Sequence, residues 1–307
     1  MVKKEILNGL ARSSAAKYAY AQRTFASFCS HLGAHPVPCT AGTLARYVVW
    51  LKHHKALGPD AIRGHVAAVR HLHTVNGHIL RADGDPRVAM VKRGACKRTG
   101  PRDSRLPVTY RILARMVGKP PDWSDFDHRL FLAGAMVAYA GFFRISELCF
   151  AKGSKEFKGI RLEDVKPEGD MLCLTLRTSK TDRENAGTKV FIKPWPDSPC
   201  PVATLKHYLL VRPRTSQDCP LLVLQDGKPL SGQKFRGMLK KRCKEVGCIG
   251  SYNAHSLRIG AASDASRKGL AGHVIQLMGR WRSLAFMTYV RPTGQDLANT
   301  LADTFTK

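Results

Sequence analysis

Residues 127–150 read DHRLFLAGAMVAYAGFFRISELCF, and the organisation of the rest of the chain follows from them. From Leu130 to Phe143 the stretch is apolar nearly all round. A helix with no solvated face has to lie at the centre of a core, so this segment predicts a helix with other elements packed around it. Arg144 then stands out, because a guanidinium inside GFFRISEL is costly unless it is paired or put to use. Glu147 follows three residues later, the spacing of an ordinary intrahelical ion pair. Pairing and use both stay open at this point.

Downstream the pattern changes period. Residues 171–177 alternate, with Leu172, Leu174 and Leu176 on one face and Cys173, Thr175 and Arg177 on the other. Val190-Phe191-Ile192 answers them across a polar connection, which predicts a small hairpin, and Leu162–Val165 predicts a third strand beside it. From about residue 202 helical patterns resume to the end. Upstream, Pro107-Val108-Thr109 is suited to open a helix, and KRTGPRDSRLP at 97–107 has the Gly, Pro and charge content of an exposed linker.

Before that linker the chain reads as all helical. Tyr18, Phe25, Phe28 and Leu32 mark one face of a helix over 11–33 that Gly33 ends. Thr40 is suited to cap a second helix with Leu44, Val48 and Leu51 inside. Gly58-Pro59 opens a third with Ile62, Val66, Val69 and Leu72 inside, and a fourth covers 86–98. The expected fold is therefore mainly α with a small antiparallel β-sheet, divided into a helical domain at 1–98, a linker at 99–107 and a mixed domain at 108–307.

Charge points to the partner. The 307-residue chain carries 50 Lys and Arg against 23 acidic residues, a net +27, far more than solubility requires. Residues 1–107 hold 18 Lys and Arg against five acids. On the third helix Arg63, Arg70, His71 and His73 are expected off the apolar stripe, as a face laid on phosphates requires. Nucleic acid, DNA or RNA, is the expected partner. No run of 18 uncharged apolar residues occurs, so no membrane span is expected. Nine scattered cysteines without a CxxC pair fit reduced thiols and give no zinc pattern. The expected location is nuclear in a eukaryote and cytoplasmic otherwise, with no metal and no cofactor.

Four elements carry candidate chemistry: Arg144 with Glu147; Lys180 in RTSKTD at the hairpin tip; His255 and Arg258 on one side of a helix in NAHSLRIGAAS; and Tyr289 in MGRWRSLAFMTYVRP. Each alone has a plain explanation as an ion pair, a solvated turn or core. Their order is what distinguishes them: Arg, Lys, His-x-x-Arg, Gly-Arg-Trp, then Tyr nine positions after that Arg. In this the chain resembles the tyrosine recombinase family, which includes phage integrases, and GRWRSLAFMTYVR is similar to integrase-like proteins of DIRS-type retrotransposons.

The resemblance implies a two-domain clamp on double-stranded DNA, in which residues 11–98 form the helical core-binding domain. It implies strand cleavage by Tyr289 through a covalent 3′-phosphotyrosine, with Lys180 as proton donor to the leaving 5′ oxygen, for integration or excision of a mobile element. Two readings share that fold: a catalytically silent DNA-binding protein and a type IB topoisomerase-like enzyme. The chemistry suits the residues. Two permanently charged guanidiniums, Arg144 and Arg258, match the charge that gathers on a pentacoordinate phosphorus, and a phenol of pKa about 10 needs such a field or a base, His255, to attack at neutral pH.

Two further expectations follow. Nine residues before Tyr289 many relatives place a His or Trp on the scissile phosphate, whereas this chain has Arg280 followed by Trp281. Arg280 at a turn is expected to be free to donate to phosphate, and Trp281 to be core. Beyond Pro292, Leu297, Leu301 and Phe305 recur at i, i+4 and i+8, a single apolar stripe on a short terminal helix. The resemblance implies that this helix docks on a neighbouring protomer in a tetramer.

Overall fold

The computed structural model describes residues 1–10, 12–97, 105–118, 123–150, 156–178, 187–292, 296, 298 and 302. The chain divides into two compact units, Met1–Asp103 and Ser104–Lys307.

The first unit contains α1 (Val2–Asn8), α2 (Arg12–His31), α3 (Ala41–His53), α4 (Pro59–Val75) and α5 (Pro86–Ala95). Local chemistry sets its boundaries. Thr40 caps α3 by accepting the Thr43 N–H, Gly58 and Pro59 start α4, and the Asp85 carboxylate accepts the Arg87 N–H at the start of α5. Gly33, at φ 60°, turns the chain after α2. Phe25, Phe28, Leu44, Tyr47, Val48, Leu51, Ile62, Val66 and Val69 form the core. Leu32, expected inside, lies past the end of α2 and is exposed, and α5 stops at Ala95 rather than at 98.

His73 corrects the expected phosphate face. It is fully buried, its Nε2 accepts the Cys39 N–H at 3.0 Å, and its Nδ1 donates to the Val69 carbonyl at 2.9 Å. The reason is helical geometry: His73 follows Ile62, Val66 and Val69 at spacings of four, three and four, so it continues their stripe. His71 is half-buried, with Nδ1 3.3 Å from the Gln22 amide and its ring edge-on to Tyr18. Arg63 and Arg70 do reach solvent, where they pair with Asp60 and Asp83.

The second unit is built on α7 (Phe126–Ala140), preceded by α6 (Tyr110–Val117), whose N-cap Thr109 accepts the Ile112 N–H. Every residue from Leu130 to Tyr139 is buried, as a central helix requires. The expected helix through 150 is broken, however. It ends at Ala140, Phe142 takes φ 50°, and a separate turn, α8 (Ile145–Leu148), begins after Arg144. Gly141 is the cause: the Phe143 ring folds back to where a Cβ on residue 141 would lie, 2.2 Å from it.

The sheet has three antiparallel strands in the order β1 (Val165–Glu168), β2 (Met171–Leu176) and β3 (Thr188–Ile192), with Leu172 opposite Ile192 and Leu174 opposite Val190. The third strand expected at Leu162–Val165 is displaced. Leu162–Asp164 curls into a 3-10 turn because the Asp164 carboxylate accepts the Arg161 N–H and the Arg177 Nε–H, and pairing starts only at Val165. The unit continues with α9 (Pro201–Leu209), α10 (Gly232–Glu245), α11 (Ala254–Arg267) and α12 (Gly272–Met278), followed by a 3-10 turn, Leu284–Thr288. All nine cysteines are free.

Candidate active site

The break after α7 places the first arginine. Arg144 is the N-cap of α8 and Glu147 its N3 residue. Glu147 Oε2 accepts the Arg144 backbone N–H at 2.9 Å, and Oε1 accepts Arg144 Nη1–H at 2.8 Å. The pair expected within a helix is thus a cap at the start of a new one, which fixes the backbone of Arg144 as well as its side chain.

Helix α11 supplies the next two residues. The Asn253 side chain accepts the His255 N–H at 2.9 Å and starts the helix, so that His255 sits in its first turn and Arg258 on its buried side. Arg258 is 1% exposed. It donates from Nη1 to the Phe142 carbonyl at 2.7 Å and from Nη2 to the Gly279 carbonyl, and its guanidinium lies 4.1 Å from the centre of the Trp281 ring. That stacking and two carbonyl dipoles replace the lost hydration.

Trp281 reaches this place because residue 279 is glycine: a Cβ there would fall 1.5 Å from the indole. Arg280 compensates by adopting φ 54°, a left-handed conformation. Its side chain does not point outward. Nη1 donates to the Gly141 carbonyl at 2.9 Å, and Nη2 to the Phe142 carbonyl and to Glu147 Oε2, both at 3.2 Å, with the guanidinium 4.8 Å over the Phe143 ring. The expectation that Arg280 is free for phosphate is therefore corrected: the left-handed turn carries its fork back onto the 141–147 segment. Trp281 is buried, as expected.

Tyr289 follows the last 3-10 turn and is half-buried. Its ring is 5.0 Å from Trp281, 6.3 Å from His255 at an interplanar angle of 27°, and 5.6 Å from the Arg258 guanidinium. Ser263 latches this segment to α11, donating from Oγ to the Tyr289 carbonyl and accepting the Arg291 N–H, both at 3.1 Å. Sequence reasoning missed Ser263. A small polar residue on the buried side of α11 carries no motif.

Arg144, His255, Arg258, Arg280 and Tyr289 are thus brought together, with Glu147 and Trp281 between them. Glu147 is the carboxylate that pairs with Arg144 and Arg280, so the cluster holds an excess of positive charge. Burial, and then the neighbouring Arg144 and Arg280, push Arg258 down to about 9, against the pull of Glu147. Arg280 is lowered by burial as well, opposed by Glu147. The Nε of each is buried and has no acceptor among the described residues. Such a site is short of an anion.

Lys180, Leu297, Leu301 and Phe305 lie outside the described residues. A second basic surface was not anticipated: Lys234, Arg236, Lys240, Lys241 and Lys244 are all exposed on α10, whose Phe235, Leu239 and Cys243 face the core. Its signal was available as Phe, Leu and Cys at i, i+4 and i+8 with cations between them. Among the described residues no three His, Cys, Asp or Glu converge as a metal site requires, and no helix is long and apolar enough to cross a membrane.

A mainly helical unit with a three-stranded antiparallel sheet, bringing Arg, His-x-x-Arg and Tyr into one cluster, has the make-up of a tyrosine-type enzyme that breaks and rejoins DNA strands. The chain belongs to the phage integrase family, whose profile matches residues 123–294. Solved structures agree on the fold. A Tn1549 transposon integrase in complex with transposon right end DNA aligns with a TM-score of 0.66 and 14% identity, covering 97% of this chain and 95% of its own. A lambda integrase dimer bound to a COC′ core site gives 0.59 and 16%, covering 94% and 91%, and XerA recombinase gives 0.51 and 16%, covering 99% and 98%. A comparison with curated proteins finds no match.

Proposed function

We propose that the protein is a site-specific recombinase of a mobile element that cleaves each strand by attack of Tyr289 on the scissile phosphate. The attack leaves a 3′-phosphotyrosine and a free 5′ hydroxyl, and rejoining reverses it. The observation that carries this is the packing of the Tyr289 phenol within 5.6 Å of the buried Arg258 guanidinium and beside His255, at a cluster with excess positive charge. Arg144 and Arg258 stabilise the charge on the non-bridging oxygens, His255 assists loss of the phenolic proton, and Lys180 protonates the leaving oxygen. The phosphotyrosine conserves the energy of the broken bond, so the reaction needs neither nucleotide hydrolysis nor a metal.

Arg63, Arg70 and the basic face of α10 hold the duplex backbone, with the two units forming a clamp on it. The active assembly is a tetramer on two duplexes, with the Leu297, Leu301 and Phe305 stripe of one protomer docked on the next. The test is a nicked duplex carrying the element's ends, incubated with protein and run on a denaturing gel. The wild type is expected to give a covalent adduct, and Tyr289→Phe to bind the same duplex without forming one. An adduct of wild-type yield in Tyr289→Phe would overturn the assignment of the nucleophile.

A further inference from the structure

Arg280 spends its fork on the 141–147 segment, where it links the Gly279 turn to the carboxylate that pairs with Arg144. Glu147 is 5% exposed and is gripped from two sides: Oε1 by Arg144 Nη1 at 2.8 Å, Oε2 by Arg280 Nη2 at 3.2 Å and by the Arg144 backbone N–H at 2.9 Å. A carboxylate and a guanidinium left to themselves favour a bidentate pair, in which two nitrogens of the fork meet both oxygens. Arg144 does not make that pair here. Among the described residues no acceptor takes its Nε or Nη2, and its side chain is 15% exposed.

We infer that Arg280 is a positioning residue: by holding Oε2 of Glu147 together with the Arg144 backbone N–H, it keeps the Arg144–Glu147 pair monodentate and leaves the other donors of Arg144 for the substrate phosphate. Three features of the geometry support this. The Arg280 guanidinium is fixed by the Gly141 and Phe142 carbonyls and the Phe143 ring, so it offers Glu147 a donor that cannot swing away. Arg258 shares the Phe142 carbonyl with it at 2.7 Å, so the same two arginines also clamp the turn from which Arg144 projects. The left-handed backbone at residue 280 is what aims the side chain inward, and it follows from the Trp281 ring packed against Gly279. The role depends on the site binding phosphate, and so rests on the reading given under Proposed function.

A double-mutant cycle on the full chain, read by calorimetric titration with inorganic phosphate, tests it. Arg280→Ala is expected to weaken phosphate binding roughly tenfold, because Glu147 then closes on both nitrogens of Arg144. Glu147→Gln, whose neutral amide makes no bidentate ion pair, should improve binding modestly with Arg280 present and about tenfold more strongly in the Arg280→Ala background. A residue that contacted phosphate itself would let Glu147→Gln give the same factor in both backgrounds, and that additive result would overturn the inference. If Arg280→Ala does not melt cooperatively, Arg280→Gln, which keeps a donor for the Phe142 carbonyl, replaces it in the same cycle. Failure of the wild type to bind phosphate at all would instead count against the phosphate site itself.

Discussion

Arg258 is the side chain on which most of the site's physics converges. It is surrounded by Arg144, Arg280, Glu147, Trp281 and Tyr289, and its lowered pKa, about 9, comes first from burial and then from the two like charges. A guanidinium at an exposed position would never titrate in the working range of an enzyme. In the proposed mechanism the protonated form is the one that stabilises transferred phosphate, so cleavage is expected to turn down as pH rises through about 9. The measurement is initial adduct formation from about pH 6 to about pH 10. A rate that kept climbing throughout would show that Arg258 keeps its charge. Arg258→Ala should slow the reaction by about a hundredfold or more at neutral pH, the scale seen when one preorganised donor is removed.

The short elements do more positioning than the long ones. Helix α7 builds the core, but what carries Arg144 to the site is the turn after it, where Gly141 admits the Phe143 ring and the Phe142 carbonyl serves both Arg258 and Arg280. Gly141→Ala would set a methyl 2.2 Å from that ring, and the ring belongs to a residue that is fully buried. Overpacking of this kind costs on the order of 1–3 kcal/mol. Thermal melting should show that loss, and adduct yield should fall further than the lost stability accounts for, since the turn that holds Arg144 must move. A variant with full activity and an unchanged melting temperature would mean that the turn adapts freely. In the same way, the Ser263 latch holds the Tyr289 segment through two hydrogen bonds rather than through a long packed helix, as the proposed nucleophile, which must meet and leave a phosphate, would need.

At the scale of the molecule, charge and assembly matter more than any single contact. The net charge of +27 is spread over both units, which suits a protein that grips phosphates from two domains. Arg267 pairs with Asp296 at 3.2 Å, so the start of the terminal segment is tied to α11 in its own protomer. Leu297, Leu301 and Phe305, outside the described residues, are the stripe proposed to dock on a neighbouring protomer. Deletion of residues 297–307 keeps the Asp296 tie and is expected to leave binding of a single site intact while abolishing pairing of two sites in a native gel. Unimpaired pairing would show that the stripe docks within its own chain.

What the amino-acid sequence determined by itself was local. Thr40, Gly58-Pro59 and Thr109 announce their helices because capping is a contact between neighbours in sequence, and the β2–β3 hairpin is legible because alternation has a period of two. The order of Arg144, Lys180, His255, Arg258 and Tyr289 pointed to the family to which the chain belongs, and periodicity extended one position further would have placed His73 inside. The tertiary structure alone decided how the charges are used. Arg280 meets the Gly141 carbonyl 139 residues away in sequence, and Arg258 meets the Phe142 carbonyl 116 residues away. No spacing rule reaches that far, because which acceptor a buried guanidinium finds depends on what the folded core leaves beside it. The break at Gly141 belongs with these, since it requires the Phe143 ring to fill the space that a side chain would occupy.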